Sequence, residues 1–143
     1  MKRTLLVISM LAASTALAHE GVKNPAVKAR MDSMSAIAEN VKTLSLMVKG
    51  DEAFDIENAQ LSLSKIADHA AQTPALFEAQ EDDPKSEAKD EIWSNFEDFS
   101  DEAFALETIA LRLSTSISST EDLGPALREL GASCKACHSM YRE

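Results

Sequence analysis

The residues Leu127 to Tyr141 read LRELGASCKACHSMY, and this stretch decides the fold because its apolar and sulfur-bearing side chains recur at helical spacing. The recurring residues, separated alternately by three and four positions, are Leu127, Leu130, Cys134, Cys137 and Tyr141. That spacing predicts an α-helix over about Pro125 to Tyr141 with one stripe facing a partner. A single helix cannot bury such a stripe alone, so the stretch requires other helices around it.

Three further segments show the same alternation, over about Pro25 to Lys49, Ile56 to Gln72 and Glu91 to Ser116. Their stripes are Val27, Arg30, Met34, Ile37, Val41, Leu44 and Val48, then Ile56, Ala59, Leu63, Ile66 and Ala70, then Ile92, Phe96, Phe99, Ala103, Leu106, Ala110 and Leu113. No strand-like alternation competes with them. Four helices can bury their apolar stripes against one another in a single core, so the sequence predicts an all-α antiparallel four-helix bundle.

The breaks between these segments carry helix-ending residues. Pro25 suits a first helical turn, Gly50 suits a C-terminal cap, and Asp55 suits the N-cap of the second helix. The acidic stretch from Thr73 to Asp90 contains two prolines and predicts a long hydrated connection. A second break, STSISSTEDLGP at 114–125, predicts a loop before the last helix.

The first 18 residues, MKRTLLVISMLAASTALA, have the organisation of a signal peptide. Lys2 and Arg3 precede an apolar run, and small residues end at Ala18, where we expect cleavage. The mature chain would begin at His19, so residues 19–143 form one domain of an exported, periplasmic protein. No later segment is apolar enough to span a membrane.

The composition is acidic, with a formal net charge of −10 for the whole chain. Such a surface repels nucleic acid and anionic lipid, so neither is an expected partner. A protein partner of this chain is expected to present a basic docking patch.

The motif CKACH brings together the chain's two cysteines, Cys134 and Cys137, with His138 directly after them. On a helix, the three side chains share one surface that faces the bundle interior. An oxidising compartment converts thiol pairs into disulfides, but a bridge across two residues would stabilise the fold little. The motif therefore indicates a chemical role.

Three chemistries fit CKACH. Two thioether bonds and an imidazole ligand would attach a c-type haem and bind its iron, and this spacing is typical of such attachment. A structural zinc site normally takes four protein ligands, and the remaining histidines are His19 and His69. A dithiol redox site usually lies at a helix N-terminus near a βαβ unit, whereas this motif ends its helix in an all-helical chain.

Two residues on the first stripe are also candidates. Arg30 would place a guanidinium in the interior, where it is costly unless paired, so it either extends its charge to solvent or binds a carboxylate such as a haem propionate. Met34, one turn later, either fills the core or offers its thioether to the iron.

The sequence as a whole resembles the cytochrome c prime family of four-helix bundles with one C-terminal haem c. The similar segments are AVKARMDSM (Ala26 to Met34), VKG with Asp55 after it, EIW with Phe96 and Phe99, and GASCKACHSMYR (Gly131 to Arg142). They cover essentially all of the mature chain.

The resemblance implies a role for each matched residue. Cys134 and Cys137 would hold the haem covalently, and His138 would be the proximal iron ligand. Arg30 would approach a propionate, and Arg142 would lie near the proximal face. Met34 occupies the distal position, where high-spin members carry a blocking side chain and low-spin relatives a methionine ligand.

These features predict an electron carrier that cycles between Fe(II) and Fe(III), not an enzyme. The alternative function is a five-coordinate haem protein that binds or sequesters nitric oxide or carbon monoxide. Members of the family often dimerise through their first two helices, so the resemblance also implies a homodimer.

Overall fold

The computed structural model describes residues 21–143 and forms five helices in that range. They are α1 (Pro25–Lys49), α2 (Ile56–Phe77), α3 (Glu91–Ser94), α4 (Phe96–Ser116) and α5 (Thr120–Tyr141). The predicted signal peptide, residues 1–18, lies outside the described residues. None of the described helices is long and apolar enough to cross a membrane.

The four long helices form a closed antiparallel bundle. α1 packs against α2 and α5, and α4 packs against the same two helices. At one end, Gln60 Nε2 donates to Ile117 O at 3.1 Å, and at the other, Trp93 Nε1 donates to Phe77 O at 2.7 Å. These contacts join the start of α2 to the end of α4 and the end of α2 to α3, and Phe77 also meets Phe99 in the first turn of α4 at 5.0 Å between ring centroids. The helices therefore run antiparallel, which confirms the predicted architecture.

The predicted caps of the first two helices are confirmed. Gly50 adopts φ 77°, and its N–H donates to Met47 O at 3.2 Å, as left-handed C-terminal caps do. The Asp55 side chain accepts from Asn58 N at 3.0 Å. At the start of α1, Asn24 accepts from Ala26 N at 2.9 Å, a cap that the sequence analysis did not assign.

The prediction that the second helix ends at Gln72 is wrong, because α2 continues through Pro74 to Phe77. Proline removes one helical donor and crowds the preceding turn. The cost is offset at the next turn, where Phe77 is buried at 7% exposure and Leu76 O accepts from the Arg30 side chain.

The last helix begins at Thr120, not at Pro125, so the predicted 114–125 loop is too long. Asp122 closes the new first turn by accepting from Ser118 N and Ser119 N, both at 2.9 Å. This S-x-x-D capping pattern opens the helix despite the Gly-Pro pair inside it.

The predicted third helix is interrupted at Asn95, where φ is −132° and ψ is 45°. The Asn95 side chain donates to Glu91 O at 3.2 Å, so it competes with the backbone for that carbonyl. α3 is therefore a single turn set against the start of α4.

Buried side chains form two clusters. The main core is Ile37, Leu44, Met47, Ala59, Leu63, Ile66, Ala67, Ala110, Leu113, Ile117, Leu123, Ala126 and Leu130. The aromatic cluster is Phe77, Ile92, Phe99 and Tyr141, with Leu76, Ala88, Trp93, Phe96 and Cys137 packed against it. Two predicted stripe residues at the helix ends are wrong, because Val48 is 42% exposed and Ile56 is 40% exposed.

The acidic connection between α2 and α3 is held to the start of α1. Asp83, 5% exposed, accepts from Lys23 N at 2.8 Å, Asn24 N at 3.0 Å and Lys85 N at 2.9 Å. These hydrogen bonds restrain the connection despite its length. It also lies beside the end of α5, where Ala88 pairs with Arg142.

Candidate functional site

The CKACH motif lies on the part of α5 that the bundle covers least. Cys134 and Cys137 are free thiols and half-buried. Between Leu130, 1% exposed, and Tyr141, 3% exposed, no residue of α5 is buried. The inward face of α5 is thus buried at Leu130 and Tyr141 but not between them, and this uncovered part could accommodate a bound group.

The two thiols have environments that suppress thiolate formation. Burial raises the pKa of Cys134. Burial, together with the charges of Glu102 and Asp98 and the neighbouring Cys134, raises the pKa of Cys137 to about 11. Redox-active cysteines carry depressed pKa values, so this environment counts against a dithiol exchange site.

The donors are also not arranged as a zinc site. Within residues 21–143, no group of three or more His, Cys, Asp or Glu side chains could hold a metal ion. A structural zinc would require four ligands directed at one point. The half-buried thiols and the adjacent imidazole instead lie along the helix, as two tethers and one iron ligand require.

His138 is in the protonation state that binds a metal. Although much of the residue is exposed, burial of part of its ring lowers its pKa, and the charge of Arg142 lowers it further while Glu87 opposes. The imidazole is therefore neutral at pH 7, with a nitrogen lone pair free for coordination.

Arg142 lies one turn beyond His138 and is paired with a residue from the connection. Its Nε donates to Glu87 Oε2 at 2.6 Å, and its Nη2 lies 2.5 Å from the same oxygen. The backbones join there as well, since Ala88 and Arg142 form an isolated antiparallel bridge. The structure thus places Arg142 one helical turn from His138 and adds Glu87 to the site, and the role of Arg142 near the proximal face stays a prediction.

The aromatic cluster forms the wall behind Cys137. Tyr141 meets Phe99 edge-on at 5.3 Å between ring centroids, and Phe99 lies 5.0 Å from Phe77. The Trp93 ring is 6.5 Å from Phe77. These rings give a bound planar group an apolar, rigid boundary on one side.

Arg30 reaches this cluster from α1 and is 3% exposed. Its guanidinium carbon lies 4.7 Å from the Phe77 ring centroid and 5.4 Å from that of Trp93. Its nitrogens donate to three backbone carbonyls, Leu76 O at 2.9 Å, Ala79 O at 2.5 Å and Glu81 O at 2.8 Å.

The observed partners of Arg30 are thus carbonyls at the end of α2 and in the connection. A guanidinium has five N–H donors, so these three bonds leave two for a carboxylate. The propionate role of Arg30 stays a prediction.

Met34 lies on α1, one turn after Arg30, on a helix that packs against α5. Its side chain is half-buried and packs against the main core. It is therefore partly covered and close to the bundle interior, and its role as an iron ligand stays a prediction.

A buried hydroxyl marks the open part of α5. Ser133 Oγ is buried and has no hydrogen-bond partner among residues 21–143. It lies directly before Cys134, on the part of the helix that lacks buried side chains. An unsatisfied buried hydroxyl is costly, so this one indicates that a further polar group completes the site.

Comparison with known proteins agrees with this geometry. A family model described as Cytochrome C' matches residues 25–142. The chain belongs to the cytochrome c prime family. Cytochrome c-556 of Agrobacterium tumefaciens is 32% identical over 115 residues, 80% of this chain and 91% of that protein.

Two solved structures extend the similarity to three dimensions. Cytochrome c prime from Rhodopseudomonas palustris superposes with a TM-score of 0.76 at 26% identity, covering 85% of this chain and 98% of that one. A carbon monoxide-bound variant of cytochrome c prime from Alcaligenes xylosoxidans has a TM-score of 0.72 at 28% identity, covering 82% of this chain and 94% of that one.

Members of this family bind one covalent haem c with its iron. The residues present fit that group, because CKACH supplies two thiols and a neutral imidazole on the least covered part of α5. Cys134 and Cys137 would hold the haem, and His138 would bind its iron.

Sequence reasoning missed two parts of the site. Glu87 stands in an acidic run with no local signal for its pairing with Arg142. Asp98, which accepts from the Tyr141 hydroxyl, is one of many acidic residues on α4.

Proposed function

We propose that this protein is a periplasmic electron carrier with one haem c. Bound haem supplies an iron that cycles between Fe(II) and Fe(III). The chain's part is to tether the haem through Cys134 and Cys137, to bind its iron through His138, and to exclude water with the bundle. We infer no catalysed conversion beyond electron transfer.

The observation that supports this function best is Met34. It is half-buried on the helix that packs against α5, and its thioether would supply a second protein ligand to the iron. A methionine ligand favours Fe(II) and keeps the coordination unchanged between oxidation states, which suits repeated electron transfer.

The experiment is a visible absorption spectrum of the ferric protein and of Met34→Leu. Ligation by Met34 gives low-spin bands with a sulfur-to-iron charge-transfer band in the wild type, and high-spin bands in the variant. Identical high-spin spectra from both proteins would reject methionine ligation and with it the six-coordinate carrier.

The haem tether is tested separately by mass. The wild type, exported from a host that attaches haem c, should have the mass of the mature chain plus one haem. Cys134→Ser with Cys137→Ser should have the mass of the polypeptide alone. An unmodified wild-type mass would show that CKACH carries no covalent haem.

Gas binding is the second candidate function, and the similar Alcaligenes protein, a variant of which was solved with carbon monoxide bound, supports it. If Met34 does not ligate, the ferrous iron keeps a vacant position for a diatomic gas. Carbon monoxide titration of the reduced protein distinguishes the two functions. Fast, tight binding by the wild type supports the gas-binding function, whereas binding only by Met34→Leu supports the carrier.

Export and assembly are further parts of the proposal. Lys2, Arg3 and the cleavage site at Ala18 support transport to the periplasm, and a mature N-terminus at His19 would test it. The exposed apolar residues Val48, Ile56 and Leu61 on α1 and α2 support a homodimer. Leu61→Glu should then convert a dimer to a monomer in sedimentation analysis.

The acidic surface supports a redox partner with a basic docking patch. Such a partner would transfer electrons more slowly as salt concentration rises, because ions screen the attraction between the two surfaces.

A further inference from the structure

The end of α5 is fastened to the connection by backbone and side-chain contacts together. Lys89 N donates to Tyr141 O at 3.0 Å, and Glu143 N donates to Glu87 O at 2.9 Å. Between these two bonds, Arg142 Nε donates to Glu87 Oε2 at 2.6 Å. Glu87 and Arg142 are therefore held opposite each other by the backbone, not only by their charges.

This ion pair is adjacent to the proposed iron ligand. Arg142 N donates to His138 O at 3.2 Å, so the two residues lie one helical turn apart. Glu87 is held at the same turn by its hydrogen bond from Arg142 Nε. The pair is half exposed, with Arg142 at 53% and Glu87 at 58% side-chain exposure, so it contributes little to stability. Charges one helical turn from an iron ligand still act on the iron electrostatically.

We propose that Glu87 is a positioning residue for the haem: it holds Arg142 near His138, and its charge offsets the rise in the iron's reduction potential that the Arg142 charge alone would cause. The proposal rests on His138 as the iron ligand, and it holds for either sixth-ligand state. A positive charge near the iron favours Fe(II) over Fe(III), and a negative charge has the opposite effect. The two members of the pair therefore oppose each other at the iron.

The test uses the haem-loaded protein and the variants Glu87→Gln, Arg142→Gln and the double variant. Glu87→Gln leaves the arginine charge uncompensated, so the reduction potential should rise. Arg142→Gln leaves the carboxylate uncompensated, so the potential should fall. The double variant should return close to the wild type, and both single shifts should shrink as salt is raised from low concentration.

A matched control removes one negative charge at the other end of the bundle. Glu57 lies in the first turn of α2, beside the end that Gln60 and Ile117 join. Glu57→Gln should leave the potential unchanged at moderate salt, because its charge is far from CKACH on the scale of the screening length.

The outcome that overturns the proposal is a potential that moves in the same direction in both single variants, or in neither, while their spectra still show histidine-ligated haem. A purely structural pair would lower the urea midpoint in both variants without opposite shifts of potential. A wild-type spectrum without histidine-ligated haem would instead reject His138 as the iron ligand. Failure of the Glu87 proposal can therefore be distinguished from failure of the proposed haem site.

Discussion

Tyr141, the chain's one tyrosine, donates a 2.5 Å hydrogen bond to Asp98 Oδ2 and so joins the end of α5 to the first turn of α4. The ring is buried against Phe99, one turn from Cys137. Burial, followed by the hydrogen bond and the charge of Asp98, raises the pKa of Tyr141 to about 12. This contact fixes the end of the helix that carries CKACH.

Tyr141→Phe should remove a pH dependence from the stability of the protein. An unfolded tyrosine ionises near pH 10. Because the folded pKa is higher, the stabilisation is complete below pH 10 and is lost as pH rises toward 12. Urea midpoints of the wild type should therefore fall over that range relative to those of the variant. Parallel curves for the two proteins would contradict the prediction.

Arg30→Met should cost about 2–4 kcal/mol in the free energy of unfolding, because three carbonyl groups lose their donor. Denaturant unfolding of the haem-loaded protein measures it. Lys28→Met, on the same helix, is the matched control. The Lys28 side chain pairs with Asp32 at 2.6 Å on the exposed surface, so its loss should cost less than about 0.5 kcal/mol. Equal costs would show that the carbonyl contacts of Arg30 are not stabilising.

Asp83→Asn should flatten the acid side of the stability curve. Hydrogen bonds from Lys85 N, Lys23 N and Asn24 N lower the pKa of Asp83. A depressed folded pKa gives stability that is present above the unfolded value, near pH 4, and is lost as pH falls through the folded value. The wild type should thus lose more stability on acidification than the variant.

The control for that prediction is Asp101→Asn, at an exposed position on α4. This variant should retain the acid dependence of the wild type. A similar loss of acid dependence in both variants would mean that general charge repulsion, not the Asp83 hydrogen bonds, causes it.

Leu63→Ala should destabilise the bundle by about 2–5 kcal/mol, because Leu63 is fully buried in the main core and the change leaves a cavity. Leu111→Ala, on α4, changes a side chain that is 46% exposed and should cost less than about 0.5 kcal/mol. Thermal unfolding of the two variants should therefore differ clearly.

The bundle could be predicted from sequence because its four stripes are long and regular. Leu63, Ile66 and Leu130 stand at repeated spacings of three and four, and each is buried as that spacing requires. The same reasoning fails at the helix ends, where Val48 and Ile56 continue the pattern beyond the last neighbouring helix that could cover them.

Two helix bounds were predicted wrongly because each proline was assumed to end or begin its helix. Pro74 and Pro125 each remove one helical hydrogen bond, a local cost that sequence reveals. For Pro74, the contacts that offset this cost come from residues distant in sequence. Phe77 packs against residues of α3 and α4, and Arg30, on α1, donates to carbonyls at the end of α2 and after it. For Pro125 the signal was local but missed, because Ser119 and Asp122 form a capping pattern.

The site divides in the same way. CKACH could be located from sequence because two thiols and an imidazole at that spacing on one helix are typical of haem c attachment. The pairing of Glu87 with Arg142 could not, because it joins residues 55 positions apart across an acidic connection that offers many equivalent carboxylates.

The hydrogen bonds that hold the connection between α2 and α3 bear on the proposed electron transfer. Asp83 holds three backbone amides, Arg30 holds three carbonyls, and the bridge at Ala88 secures the remainder against α5. Dipoles already fixed in place need not rotate when the iron gains or loses an electron. In the electron carrier proposed above, such surroundings would add little reorganisation energy, and the barrier to each oxidation and reduction would stay low.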